Sequence, residues 1–204
     1  MSIDLNEFEG ALSESALNTL FLKARTYHHW SDTPVSEQLL HQLYETVKYP
    51  PTSMNCQPMR LQFVVSQDAK QKLKPCLMSG NVEQTLSAPV VVIIAHDTRF
   101  YQHLPRMFPA YEDAQRMYSE DDKLSQETAF RNGSMQGAYL IIAARALGLD
   151  CGPMSGFDNA KIDETFLSGT DYQSNFLLNL GYGDETRLYE RGDRFAFDEV
   201  AEIV

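Results

Sequence analysis

Ala88-Pro89-Val90-Val91-Val92-Ile93-Ile94-Ala95 is an unbroken apolar run. A half-buried strand alternates apolar with polar residues, so a run without alternation fits a strand covered on both faces. Leu61 to Val65 reads as a second strand. Ser174 to Leu180 reads as a third, running into a turn at Gly181-Tyr182-Gly183. Together they form the core of a sheet. Helical spacing appears on either side of these strands. Ser13 to Tyr27 places Leu17, Leu20 and Phe21 on one face, and Ser36 to Val47 repeats the pattern with Leu39, Leu40, Leu43 and Val47 after a capping-type Ser36. Gln126 to Leu149 is the strongest helix. Ala129, Met135, Ala138, Tyr139, Ile142, Ala143 and Ala146 mark its apolar side, and Gly148 supplies the stop. Phe100 to Lys123, rich in aromatic and acidic residues without clean periodicity, reads as a mobile helical excursion over a pocket.

Two segments must be loops. Pro50-Pro51-Thr52-Ser53-Met54-Asn55-Cys56-Gln57-Pro58 contains three prolines, which excludes a helix or a central strand. Cys151 to Phe157 contains two glycines and a proline. A charged tail, Arg187 to Val204, closes the chain. No repeat or linker interrupts the 204 residues, of which 43% are hydrophobic and 22% charged, so residues 1–204 read as a single domain with a core of its own.

Charge and composition exclude several classes of function. A formal charge of −11 repels phosphate backbones and anionic headgroups, which argues against nucleic-acid and membrane partners. An anionic small ligand then requires a local cluster of cations. No run approaches the roughly 18 apolar residues of a membrane helix, and the acidic start of the chain does not match a signal peptide, so the expected location is cytoplasmic. Three scattered cysteines, Cys56, Cys76 and Cys151, suit reduced thiols and form no metal-ligand pattern. The sequence also lacks GxGxxG, GxxxxGK[ST], HExxH and GxSxG, the usual marks of dinucleotide, P-loop, zincin and esterase chemistry.

Four segments, Arg25 to His28 with Thr33 to Val35, Pro51 to Pro58, Leu147 to Phe157, and Gly181 to Gly183 with Arg191 and Arg194, in order and spread over nearly the whole chain, resemble the FMN-binding nitroreductase family. Arg25-Thr26-Tyr27-His28 with Thr33-Pro34-Val35 is similar to the RSxR-then-PV opening that holds the flavin phosphate, with Thr26 for Ser and His28 for the second Arg. Pro51 to Pro58 resembles the PSSxNxQPW loop along the flavin edge, with Met59 in place of Trp. Leu147 to Phe157 is similar to the segment whose backbone N–H groups face flavin N5. Gly181-Tyr182-Gly183 with Arg191 and Arg194 resembles the C-terminal element that also reaches the phosphate.

The resemblance implies an α+β, nitroreductase-like fold: a mixed, largely antiparallel sheet flanked by helices in an interlocked homodimer, with FMN at the interface and NAD(P)H as cosubstrate. It implies cofactor contacts from Arg25, Thr26, His28, Ser53, Asn55, Asn81, Pro153, Met154, Ser155, Gly156, Arg191 and Arg194. Gln84 stands where some members carry Lys. The backbone of Ser155 and Gly156 is implicated at N5, no side chain is singled out as general acid or nucleophile, and no metal is expected. Arg131 is a candidate for a substrate carboxylate.

A finer resemblance is to the malonic semialdehyde reductases of pyrimidine utilisation. It is carried by Pro51 to Pro58, Ser79-Gly80-Asn81, Glu127 to Asn132, Ala138 to Ile141, Gly152 to Asp158 and Gly181 to Asp184, and it implies reduction of 3-oxopropanoate to 3-hydroxypropanoate. The alternative within the family is a general nitroaromatic, quinone or enal reductase. Outside it stand a flavin binder without turnover and a thiol enzyme built on Cys56 or Cys151.

Overall fold

The computed structural model describes residues 10–204. Four strands form one sheet in the order β1-β2-β4-β3: β1 is Met59–Val64, β2 Val90–Asp97, β3 Asp150–Met154 and β4 Tyr172–Gly181. All three pairings are antiparallel. The apolar run lies inside the sheet as β2, and no residue from Val90 to Asp97 is more than 5% exposed. Its two sets of alternate residues feed two cores. Val90, Val92 and Ile94 pack with Leu43, Val47, Leu140, Ala144 and Leu178, whereas Val91 and Ile93 pack with Leu73, Cys76, Ile162 and Leu177.

The first core lies under helices Glu37–Val47 and Asp122–Ala146. Ser36 caps the former by accepting from Leu39 N–H, and Asp121 caps the latter by accepting from Leu124 N–H. Gly148, at φ +78°, ends the long helix. Its inward stripe is made of small and amide residues: Ala129, Asn132, Gly133, Gln136, Gly137, Leu140 and Ala144 are all buried. A Cβ on Gly137 would lie 2.6 Å from the Phe176 ring, so the helix rests close against the sheet. Met135 and Tyr139 face outward at 41% and 46% exposure, with Phe130 at 55%. The apolar side read from the sequence is thus two faces, because six residues at about 100° each carry Ala129 and Met135 roughly 120° apart around the axis.

The second core is roofed by helices Gln67–Leu73 and Asn159–Phe166, capped by Ser66 and Asp158. Both were too short to show in the periodicity, as was Val82–Ser87. Two expectations change. The opening helix stops at Leu22, its last turn a π-helix over Asn18–Leu22, because the chain from Thr26 to Trp30 is held extended beside the sheet. Tyr27 N–H donates to Cys151 O at 3.0 Å, and Thr26 and Trp30 bridge to Cys151 and Gly183. The segment from Cys151 begins as an edge strand, where Pro153 is tolerated, and becomes a turn only after Met154. The excursion is helical over Phe100–His103, Leu104–Met107 and Ala114–Ser119. No helix among the described residues is long and apolar enough to cross a membrane.

Contact between the opening segment and β3 is close enough to test. A Cβ on Gly152 would stand 2.5 Å from the Tyr27 carbonyl oxygen, a backbone atom that cannot rotate away. Gly152→Ala should therefore destabilise the protein by about 1–3 kcal/mol, lowering the midpoint of thermal unfolding by roughly 2–4 °C per kcal/mol. An unchanged midpoint in calorimetry would show that this segment is not pressed onto β3.

Candidate functional site

Arginines from three separate stretches of chain meet at one cavity of about 400 Å³. Arg25 comes from the opening segment, Arg145 from the last turn of the long helix, and Arg191 and Arg194 from the C-terminal tail. Thr26, His28 and Tyr189 complete the lining with a single carboxylate, that of Glu190. Among the described residues none of the four guanidinium groups has a carboxylate within 4.0 Å. They donate to backbone oxygens instead: Arg25 to Tyr189, Arg145 to Leu20 at 3.0 Å, Arg191 to Ala24 at 3.0 Å, and Arg194 to Gly192 and Asp193. Four uncompensated cations in a protein of charge −11 suit a polyanionic group such as a phosphate.

From this cavity a chain of amide hydrogen bonds runs to the Pro153–Gly156 turn. Gln84 Nε2 donates to Asn81 Oδ1 at 2.6 Å, and Asn81 Nδ2 donates to Gly156 O at 2.8 Å. That direction leaves Gln84 Oε1 as an acceptor, so the Nδ1 of His28 in contact with it must carry the proton. The Gln84 carbonyl in turn accepts from Trp30 Nε1 at 3.1 Å and from Asn179 Nδ2 at 3.3 Å. Asn81 therefore serves as a bracket for the turn and not as a helix cap, since its side chain makes no capping bond. A Cβ on Gly156 would meet Asn81 Nδ2 at 2.1 Å, so a larger residue there would push the Asn81 amide off the Gly156 carbonyl.

The proline-rich loop belongs to a different surface. Met54, Asn55 and Gln57 hold positive φ values of 48°, 51° and 39°, a conformation that costs a non-glycine residue roughly 1–2 kcal/mol. Its restraints are correspondingly many. The long helix supplies two buried amides one turn apart. Asn132 Oδ1 accepts from Ser53 N–H and Gln136 Oε1 from Met59 N–H, both at 2.9 Å, so one rigid element holds both ends. Asn55 Nδ2 donates to Met107 O at 2.9 Å and accepts from Gln57 at Oδ1. Arg60 donates to Gln57 O and Met59 O at 3.0 Å while pairing with buried Asp97 at 2.6 Å. A cavity of about 550 Å³ beside Cys56 and Gln57 is lined by Lys48, Arg60, His103, Arg106 and apolar side chains. It shares no lining residue with the arginine cavity.

The expected site residues thus fall into two groups. Arg25, Thr26, His28, Arg191 and Arg194 share the arginine cavity, and Asn81, Pro153, Met154, Ser155 and Gly156 adjoin it through the amide chain. Ser53 and Asn55 lie on the other surface. Arg131 is exposed on the long helix and lines neither cavity. The reading of the sequence missed Arg145, the Arg60–Asp97 pair and the Asn132–Gln136 bracket. Only the last leaves a signal, two amides at i, i+4 within a helix stripe of small residues. The thiols are unsuited to nucleophilic chemistry, since burial pushes Cys56 up to about 11 and Cys151 up to about 12, leaving both protonated near neutral pH.

Comparison with known proteins identifies the family and the fold. The description "Nitroreductase family" matches residues 22–182. A Burkholderia lata protein, whose name proposes an NADH dehydrogenase/NAD(P)H nitroreductase, is 55% identical over 192 residues, covering 94% of this chain and 98% of the relative. A proposed nitroreductase from Bacillus subtilis shares the fold at TM-score 0.85 and 20% identity, over 94% of this chain and all of the other. One from Exiguobacterium sibiricum, solved in complex with FMN, does so at TM-score 0.82 and 19% identity, over 95% and 99% of the two chains.

Two outcomes follow from the loop's restraints. Removing the Arg60 charge strands a buried carboxylate, so Arg60→Met should cost on the order of 3 kcal/mol, and adding Asp97→Leu should recover part of the loss. Denaturant unfolding of both variants checks this. A double variant no better than the single would show that Arg60 acts through its carbonyl contacts alone. At pH 8 a disulfide-exchange thiol reagent should titrate almost no thiol in the native protein and all three after unfolding.

Proposed function

We propose that this chain, which belongs to the nitroreductase family, holds FMN with its phosphate in the arginine cavity and uses it to carry hydride from NAD(P)H to a small acceptor. The observation that carries this reading is the convergence of Arg25, Arg145, Arg191 and Arg194 without carboxylate partners. The residues fit the group. A phosphate offers acceptors in number for these guanidinium donors, Thr26 adds a hydroxyl and His28 a ring edge facing away from Gln84. When bound, FMN supplies hydride acceptance and donation at N5, chemistry no side chain provides.

The protein's part is position and charge. His28, Gln84 and Asn81 form a rigid link between the phosphate end and the Pro153–Gly156 turn. The exposed turn residue Ser155 presents a backbone N–H to the ring. Ser53 and Asn55 lie on the other surface, so a single chain carries two half-sites, and a second copy completes each. The surfaces available for that pairing are the outward Phe130, Met135 and Tyr139 and the tail beyond Arg194, where Phe195, Phe197 and Ile203 are exposed at 77%, 59% and 89%. A cavity of about 730 Å³ lined by Val35, Leu40, Tyr44, Phe63 and Val65 accommodates such a tail from the partner beside edge strand β1.

For the acceptor we take 3-oxopropanoate, reduced to 3-hydroxypropanoate, on the resemblance carried by Pro51 to Pro58 and Gly152 to Asp158. Nitroaromatics, quinones and enals are the alternative.

Purified or reconstituted protein should carry one FMN per subunit, identified by mass spectrometry of the released flavin. Recovery of FAD, or of no flavin, ends this reading. The Arg191→Ala/Arg194→Ala variant should lose FMN affinity, since each charge-assisted hydrogen bond contributes roughly 1.5–3 kcal/mol. Ser155→Ala retains the N–H and should be mild, whereas Ser155→Pro removes it and should slow anaerobic reduction by NADPH at matched flavin occupancy. Equal damage from both would assign the role to the hydroxyl. Steady-state NADPH and NADH oxidation with 3-oxopropanoate, nitrofurazone and menadione separates the acceptor classes.

A further inference from the structure

The geometry points to the second cavity, beside the proline-rich loop, as the binding site for the carboxylate of a small monoanionic acceptor, with Arg106 as its anchor. The inference rests on the flavin reading for the acceptor's fate, though not for its binding.

The chain has 28 acidic residues, yet none lines this cavity, whose polar lining is Lys48, Gln57, Arg60, His103, Arg106 and Gln136 together with two tyrosines. The charges around it decide what it accepts. Lys48 is paired with Glu45, and Arg60 with buried Asp97. His103 Nε2 lies 3.6 Å from the same Asp97 carboxylate. Arg106 has no carboxylate within 4.0 Å among the described residues. One uncompensated guanidinium matches a single negative charge. The arginine cavity, with four, is built for a phosphate instead.

Size and position narrow the ligand further. The remaining lining of Cys56, Met59, Leu61, Phe63 and Met107 is apolar or weakly polar, so a short carbon chain beyond the carboxylate meets compatible surface. The cavity reaches the positive-φ loop through Cys56 and Gln57, and the Met107 carbonyl next to Arg106 accepts from Asn55. Arg106 is thereby tied by its neighbour's backbone to the same loop, which meets the hydride site of the other copy when two copies pair as proposed. A guanidinium meets a carboxylate with two parallel N–H···O bonds. That interaction fixes one end of a three-carbon oxoacid and leaves its carbonyl free to approach the loop. A neutral quinone offers Arg106 carbonyl acceptors but no negative charge, so the residue favours charged over uncharged acceptors.

The test is calorimetric titration of the full-length protein with propanoate, a three-carbon monocarboxylate that is not reduced, with and without added FMN. Wild-type protein should bind it, and Arg106→Ala should weaken binding about ten- to hundredfold, the equivalent of a charge-assisted bond. Arg106→Lys should fall between, keeping the charge but losing the fork. In turnover, Arg106→Ala should raise the KM for 3-oxopropanoate far more than that for menadione. Circular dichroism and FMN content equal to wild type establish that the exposed substitution leaves the fold intact. Absence of propanoate binding to the wild type, or equal affinity in Arg106→Ala, overturns the assignment. So does a loss seen in Arg131→Ala instead, which would place the carboxylate site on the long helix. Failure to retain FMN with propanoate binding intact would refute the flavin reading and leave this cavity as assigned.

Discussion

Covering β2 on both faces is the constraint from which the architecture follows. Eight successive residues with no solvent-facing side require a neighbour on each edge and a helical layer above and below. The long helix and Glu37–Val47 fill one side, and Gln67–Leu73 with Asn159–Phe166 the other. The long helix can approach only because Gly133 and Gly137 present no side chain to His96 and Phe176. At that separation Asn132 and Gln136 reach past the sheet edge to the proline-rich loop. The geometry of the loop is therefore set by how closely a helix packs on a strand.

The same packing explains how the strained backbone survives. Three non-glycine residues at positive φ within four positions would relax in a free peptide. Here the ends are held by the two helix amides, the middle by Asn55 on Met107 O, and the exit by Arg60, itself fixed by Asp97 and stacked 5.3 Å from the Tyr172 ring. The side chain of Gln57 donates to Asn55 Oδ1, which orients Gln57 where it lines the cavity.

Much of this was legible in the residues, for identifiable reasons. The apolar run gave β2, and the Ser36 cap with helical spacing gave Glu37–Val47, because the unbroken run in one and the helical period in the other each extend over several pleats or turns. Arg25, Arg191 and Arg194 were recognised as partners across more than 160 positions only through the motif, since charge alone does not reveal convergence. Arg145 carries no mark that distinguishes it from any cation near a helix end. The strain in Met54 and Gln57 was hidden because nothing in their side chains signals positive φ, and the Arg60–Asp97 pair was hidden because it spans two strands whose register the sequence does not state. β3 was read as loop since its glycine and proline are turn residues everywhere except on a sheet edge.

Two hydrogen bonds join the C-terminal tail to the opening segment, Arg25 to the Tyr189 carbonyl and Arg191 to that of Ala24. The tail is thus a wall of the anion cavity before it runs on into its exposed aromatic stretch. Anything that grips that stretch holds the wall in place, and an anion that fills the cavity restrains the stretch in return. With an anion in the cavity as proposed, thermodynamic linkage requires its occupancy and the gripping of the tail to strengthen each other by the same factor, which makes the last residues of the chain a reciprocal coupling element.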